Sequence, residues 1–512
     1  MERSGSPGPP PRGGCGMVER VVRAILDPKT GPWILLAGAA LILLVCPAGS
    51  SLWTLEGRTG AICREMMRSG DYVHPYLFDD EYYDKPLLPY WMVIGVARVT
   101  GRLDETAMRL PGMLAGLVAV LATWRIGLRL FGPLVGITAG WLLTTCGMFA
   151  FWARVSGADI LNVAAVTVAL AWYVERRDRP GFAASAVFFA ILAVGAQLKG
   201  LIAPAMVVLA IAPDLLRDGR WRSHARVSLI PAMVPALLLY LLPFTISSVT
   251  SDGSYRSDGL VMAFRENVVR YFRPFDHQSP VYEYALHLPA YLLPWTFFLP
   301  FVLWRARRWK DLEPNARRLL EAAGLILVFL TLSGSRRHYY MLPVLPILVL
   351  SVADWLHRDP ARRMPRRIAF WTAGVFAVGL TAFFGLLLPS LGAKGGTRPM
   401  AAEVRRTAER EAPWSEWKVV LFNTKPQMGF YLDTPGRPRR LFTREELREE
   451  LRGNPRSVVI TTAREATTLE LELGPCATVV ERSTLPWSLG KVRTTATAQV
   501  AFIPVHRVAR GQ

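Results

Sequence analysis

Eleven apolar stretches, most of them about as long as a bilayer is thick, constrain this chain more than any other feature. They lie near 32–52, 107–124, 133–151, 158–175, 181–197, 200–216, 227–249, 288–304, 318–333, 339–356 and 368–389. A soluble chain of 512 residues would divide into domains with polar surfaces. Here the mean hydropathy is +0.25 and apolar blocks alternate with short basic clusters, the pattern of a polytopic membrane protein. Several stretches are short or interrupted, so about 11 to 13 spans are all compatible with the sequence.

The basic clusters carry the topology. Arg20, Arg23 and Lys29 precede the first stretch and place the N-terminus in the cytoplasm. Arg125/Arg129, Arg176–Arg179, Arg217–Arg226, Arg305–Arg318 and Arg358–Arg367 fall on alternate turns, so with eleven spans they all share that side. The formal charge of +20 is therefore read as topology information and not as a nucleic-acid surface. The first stretch is laid out like a signal sequence, but its cleavage pattern is poor and many spans follow, so it is expected to stay as a helix. The five cysteines are widely spaced and point to neither a disulfide framework nor a metal cluster.

Three regions follow. Residues 1–30 are expected to be a cytoplasmic tail, disordered over the Gly/Pro/Ser-rich positions 1–16. Residues 31–392 form the membrane domain, with large external loops at 53–105 and 250–287. Residues 393–512 turn water-soluble in composition and are expected to form a small α/β domain outside the membrane. Lys418–Asn423, Ser457–Thr462, Cys476–Glu481 and Gln499–Val505 read as strands. Thr443 and Glu446 make a capping box for a helix through Leu451.

Candidate chemistry gathers in the external loops. Glu56 follows the first apolar stretch as either a solvated loop residue or a general base, with Arg58 placed to hold it. In Asp84-Lys85-Pro86 the proline favours an extended backbone at Lys85, so that Lys85 projects from a fixed position at the bilayer edge. There it either snorkels or binds a lipid phosphate. Arg154 and Asp159 flank a glycine at the external end of a span and either pair structurally or border the cavity of Glu56. Lys199 sits at another external helix end. Arg336 and Arg337, in Arg-Arg-His-Tyr-Tyr with His338 and Tyr339, lie outside against the charge rule, and an anionic headgroup would supply the reason. Arg270 and His277 in the second loop are placed to join them.

The ordered series Glu56-x-Arg58, Arg64-Glu65-Met66, Ser69-Gly70-Asp71, Tyr83-Asp84-Lys85-Pro86-Leu87, Arg109-Leu-Pro, Arg154…Asp159, Lys199-Gly200, Glu266-Asn267…Arg270-Tyr-Phe and Tyr340-Met-Leu-Pro343 resembles the aminoarabinose transferase and protein O-mannosyltransferase group. The resemblance covers most of residues 50–350. It implies a GT-C type, all-α polytopic membrane domain with a small extracytoplasmic α/β domain, in a bacterial inner membrane. It also implies a glycosyltransferase that moves a sugar from a polyprenyl-phosphate donor to a lipid, glycan or protein acceptor with inversion. Glu56 and Asp159 would then be the catalytic candidates. Arg58, Asp84, Lys85, Arg154, Lys199, Arg270, His277, Arg336, Arg337, His338 and Tyr339 would be the substrate-binding ones. The family usually has an Asp-Glu pair at the start of the first loop. Here Leu55 stands where that Asp would be. The sequence has no phosphate-binding glycine loop, which fits a donor that is not a nucleotide sugar. No cofactor is expected, and the chemistry does not require a divalent metal. A transporter or flippase of polyprenyl-phosphate lipids would fit the topology and the basic residues equally well.

Overall fold

The structure, a computed structural model, describes residues 24–224, 231–251, 259–273, 278–433, 436–473, 476–481 and 498–504. The expected disordered tail, Arg20, Arg23, His277 and Val505 lie outside the described residues. Among the described residues, each of the eleven apolar stretches overlaps at least one helix. Among the described residues, six helices are long and apolar enough to cross a membrane, or eight if each of two bent pairs counts once. The bent pairs are Pro133–Thr144 with Gly147–Ala153, at 67°, and Glu283–Tyr291 with Trp295–Ala306, at 108°. The remaining apolar stretches form helices that are shorter or carry charge: Gly31–Leu44 and Ile202–Arg217 have 14 and 16 residues, and Pro314–Leu332 holds Arg317, Arg318 and Glu321. Large apolar side chains stand exposed on the outer helices, such as Leu238, Val378 and Leu386. Such continuous apolar surface is stable facing lipid, not water.

We name α1 Gly31–Leu44, α2 Thr54–Ser69, α3 Leu88–Thr100, α4 Glu105–Phe131, α5 Ala158–Arg176 and α6 Phe182–Lys199. The first loop is therefore mostly helical. Glu56, Arg58, Arg64, Glu65 and Arg68 ride on α2, an amphipathic helix whose Glu56, Ile62, Cys63 and Met66 are buried. The second external region is a short helical run over 259–272, and the described part of it packs against the bundle.

Contacts bring the five basic clusters to one end of the bundle. Arg125 pairs with Glu175 at 2.7 Å. Asp214 gathers Arg177, Arg220 and Arg318 within 3.1 Å and accepts from the Tyr173 hydroxyl at 2.7 Å. Asp354 gathers Arg305 and Arg358. One buried carboxylate thus holds several helix ends at once.

The C-terminal region forms a five-stranded sheet. Its strands are β1 Lys418–Phe422, β2 Arg439–Leu441, β3 Ser457–Thr462, β4 Cys476–Val480 and β5 Gln499–Pro504, in the order β2-β1-β3-β5-β4. The first three strands run parallel and β5 pairs antiparallel with both neighbours. The capping box forms: Glu446 N–H donates to the Thr443 hydroxyl at 3.3 Å and Thr443 N–H to the Glu446 carboxylate at 3.1 Å.

This region sits on α2. A Cβ at Gly57 would lie 2.5 Å from Gln427 Cα, and one at Gly60 would strike the Phe430 ring, so these glycines let Gln427–Tyr431 approach the helix. Arg437 pairs with Glu65 at 2.5 Å and Arg440 with Asp80 at 3.2 Å. The Tyr431 hydroxyl accepts from Leu52 N–H at 2.8 Å and donates to Glu105 at 2.9 Å.

Candidate active site

Two charged assemblies form at this end, and they differ in kind. The first is closed. Glu56 is fully buried. Its Oε1 accepts from Arg109 Nε and Ser156 N–H, and its Oε2 from Arg109 Nη2 and Trp53 N–H, all at 2.9 Å. The rest of the Arg109 guanidinium donates to the carbonyls of Pro47, Ser50 and Ser51 at 2.9–3.1 Å. Arg58, expected to hold Glu56, faces Tyr82 and Asp84 instead, and the holder of Glu56 is Arg109, 53 positions away in sequence.

Arg154 is corrected for a similar reason. It donates to the carbonyls of Leu43, Val45 and Cys46 at 2.6–3.0 Å and covers the Phe384 ring. These are carbonyls that α1 leaves without partners where it ends, before Pro47. Arg154 therefore caps a helix, and among the described residues it pairs with no carboxylate. Arg336 spends its guanidinium on the carbonyls of Ser279, Thr331 and Ser333. His338 faces the Tyr291 hydroxyl at 2.5 Å and stacks on His287. Both shape the segment that carries Tyr339 and Tyr340.

The second assembly is a looser chain of ions that runs from the partly exposed Lys85 to the buried Asp159. Arg58 donates to the Tyr82 hydroxyl at 2.7 Å and faces Asp84 at 4.0 Å. Burial first, and then the Asp84 carboxylate, push the Tyr82 hydroxyl up to about 12, so it stays neutral. Lys85 Nζ donates to the Asp84 carbonyl at 2.8 Å and lies 3.3 Å from the Asp84 carboxylate and 3.7 Å from Glu266. Glu266 also holds Arg270 at 2.6 Å, through their i,i+4 spacing. Arg270 reaches toward Ser335 at 3.4 Å.

The chain of contacts closes on Asp159. Its carboxylate pairs with Lys199, whose ammonium stands 4.6 Å over the Tyr340 ring and 6.0 Å from that of Tyr339. The Tyr339 hydroxyl accepts from Arg337 at 2.6 Å. Lys199 is placed here because Gly200, with φ 87°, ends α6, and Asn267 accepts from Leu201 N–H at 2.6 Å. A wall of rings borders this end: Trp53 on Phe151 at 4.9 Å, and Trp152 on Tyr339 at 4.7 Å.

Of the expected site residues, Arg58, Asp84, Lys85, Asp159, Lys199, Arg270, Arg337 and Tyr339 come together. Sequence reasoning gave no site role to Arg109, Tyr82, Glu266 or Tyr340, although Arg109, Glu266 and Tyr340 stand in the series that carries the resemblance. Beside the cluster lies an apolar cavity of about 820 Å³ between α3, α4, α5 and α6. Leu110, Leu161 and Leu198 line it, each within two positions of Arg109, Asp159 or Lys199.

Residues 84–246 match the family model described as dolichyl-phosphate-mannose-protein mannosyltransferase. The undecaprenyl phosphate-alpha-4-amino-4-deoxy-L-arabinose arabinosyl transferase 1 of Pseudomonas fluorescens is 28% identical over 325 residues, which cover 60% of this chain and 55% of that one. The corresponding transferase of an Enterobacter species is 21% identical over 401 residues, covering 76% and 71%. The chain thus spans between about half and 71% of the length of these relatives. Among solved structures, ArnT from Cupriavidus metallidurans bound to undecaprenyl phosphate superposes with a TM-score of 0.72 at 19% identity, covering 94% of this chain and all of that one. The fold is that GT-C architecture, and the resemblance to the aminoarabinose transferase and mannosyltransferase group holds.

Proposed function

We propose that the protein is an integral membrane glycosyltransferase that moves a sugar from a polyprenyl-phosphate donor to a lipid acceptor on the extracytoplasmic face of a bacterial inner membrane. The observation that carries this reading is the open cluster itself. Arg58, Lys85, Lys199, Arg270 and Arg337 outnumber Asp84, Asp159 and Glu266, which leaves a formal excess of two positive charges at one end of a membrane bundle. A departing phosphate matches that excess. The neighbouring apolar cavity offers room for a prenyl chain whose phosphate reaches the cations. The relatives named as undecaprenyl-phosphate aminoarabinose transferases support the donor class. The basic clusters at the opposite end support a cytoplasmic location for that end.

The chemistry follows from charge placement. The acceptor hydroxyl oxygen attacks the anomeric carbon from the face opposite the phosphate. The anomeric C–O bond breaks, and its electron pair leaves on the phosphate oxygen. Lys85 and Arg270 hold that oxygen and stabilise the charge gathering there, at atoms fixed before reaction. Asp159 takes the acceptor proton, because Glu56 is closed and Asp84 and Glu266 sit between the phosphate-holding cations.

Proteoliposomes supplied with radiolabelled undecaprenyl-phosphate sugars and an acceptor lipid extract test this reading. The expected result is label bonded to acceptor lipid with release of undecaprenyl phosphate. Movement of the intact donor between leaflets, with no bond formed, would instead establish the flippase.

A further inference from the structure

Asp159 is held by one oxygen and open at the other. Its Oδ1 accepts from Lys199, and its Oδ2 faces the space over Gly157, 3.7 Å from where a Cβ on that glycine would stand. The direction of Oδ2 therefore depends on where Lys199 is fixed. The Lys199 ammonium rests on the Tyr340 ring, but its backbone stands at an elbow. Lys199 is the last residue of α6, Gly200 turns the chain with φ 87°, and the helix Ile202–Arg217 begins at once. The N–H groups at the start of that second helix have no partners within it, so whatever accepts from them helps to fix the elbow.

One acceptor comes from a distant part of the chain. Asn267 Oδ1 accepts from Leu201 N–H at 2.6 Å, while Asn267 Nδ2 donates to the Ala263 carbonyl at 2.6 Å. The two bonds use opposite ends of one amide, so each fixes the orientation that the other needs. The approach is close, because a Cβ at Gly200 would strike Asn267 Oδ1. Glycine is needed here both for its positive φ and for the room it leaves.

Asn267 lies on the π-helical turn Arg265–Val269, a form found mostly as single turns and often at functional sites. The residue before it, Glu266, faces Lys85 at 3.7 Å and Arg270 at 2.6 Å. Adjacent residues of one turn thus reach the cations assigned to the phosphate and the elbow that carries Lys199. An in-line displacement gives this arrangement a use. The acceptor oxygen and the departing phosphate stand on opposite sides of the anomeric carbon, so the carboxylate and the cations must keep a fixed separation. A misplacement of about 1 Å can cost about 10²-fold in rate.

We infer that Asn267 is a positioning residue for the proton-accepting carboxylate. It fixes Lys199, and through Lys199 the direction of Asp159 Oδ2, relative to the cations that hold the phosphate. The inference rests on the glycosyl-transfer reading and its assignment of Asp159.

The test uses the full-length protein in proteoliposomes, with a labelled undecaprenyl-phosphate sugar for single-turnover transfer and undecaprenyl phosphate for binding. Asn267→Leu keeps the side-chain volume and removes both bonds. The expected result is transfer slowed by about tenfold or more, with binding kept within about threefold. Asn267→Asp, which keeps an acceptor for Leu201 N–H, should recover most of the transfer. In a Lys199→Gln background, Asn267→Leu should slow transfer by less than about a further twofold, because residues that act as one unit are not additive. Equal slowing in both backgrounds overturns the inference, since Asn267 would then act without Lys199. A loss of binding that matches the loss of transfer also overturns it, by assigning Asn267 to the phosphate side. So does unaltered transfer by folded Asn267→Leu, or an Asn267→Asp protein as slow as Asn267→Leu. If Asn267→Leu fails to fold, Asn267→Ala takes its place, and failure of both assigns Asn267 to the fold and ends the inference. If Lys199→Gln fails to fold, the split between transfer and binding and the recovery by Asn267→Asp decide. No transfer by the unaltered protein removes the glycosyl-transfer reading itself, a result distinct from all of these.

Discussion

The Glu56–Arg109 assembly and the Asp159–Lys85–Arg270 assembly lie close together, yet their charges are satisfied differently. In the first, both carboxylate oxygens accept two donors and the guanidinium is spent on three carbonyls and the carboxylate. In the second, cations outnumber carboxylates, contacts stretch to 3.7 and 4.0 Å, and a buried carboxylate oxygen has no partner among the described residues. A saturated ion pair fixes a shape, since any added group would have to displace an existing bond. An unsaturated, charge-imbalanced one is stable only with water or a ligand completing it. The first assembly sets where α2 begins relative to Ser156, and so where Leu55 stands relative to Asp159. The second is where we propose the chemistry takes place.

Breaking the closed assembly should cost most. Glu56→Gln leaves the buried Arg109 charge without its counter-ion, a loss of about 3–5 kcal/mol. The expected outcome is a fall in the thermal midpoint of detergent-solubilised protein and in yield, with donor use falling only as folded protein is lost. A variant of unaltered stability that has lost turnover alone would move Glu56 into the chemistry.

Breaking the open assembly should leave the fold and damage function. Lys85→Ala removes one charge-assisted contact to the donor phosphate, about 1.5–3 kcal/mol. Because the Lys85 side chain is about one-third exposed and its partners Asp84 and Glu266 keep Arg58 and Arg270, the thermal midpoint should hold. Titration with undecaprenyl phosphate should show roughly ten- to hundredfold weaker binding. Unchanged binding would return Lys85 to a role as an interfacial anchor.

The difference between the two assemblies also marks what the sequence could show. The helices were legible because apolar runs of membrane length have few other uses. Their limits were less so. The first run reads as apolar to Leu52, but α1 ends at Leu44, because Pro47 and Gly49 follow and Arg154 satisfies the freed carbonyls from about 110 positions away. The region after it read as a loop, although Thr54–Ser69 is a helix whose apolar face packs against the C-terminal sheet region. Strand β2 is three residues long with two arginines, so its composition hides it. In the site, residues that work with near neighbours, such as Asp84 and Lys85, were found. The holder of Glu56 was missed because Arg109 is a long-range contact, and the burial that such contacts create is not written locally.

The central claim is that Asp159, and not Glu56, is the carboxylate at the reacting centre. The most direct measurement is single-turnover transfer of labelled sugar by Asp159→Asn in proteoliposomes, normalised to folded protein and set beside undecaprenyl-phosphate binding by the same sample. The account predicts transfer slowed by about 10²–10⁴-fold, the usual effect of losing a general base, with binding kept within a few-fold. Transfer at the unaltered rate in a folded Asp159→Asn protein would contradict it.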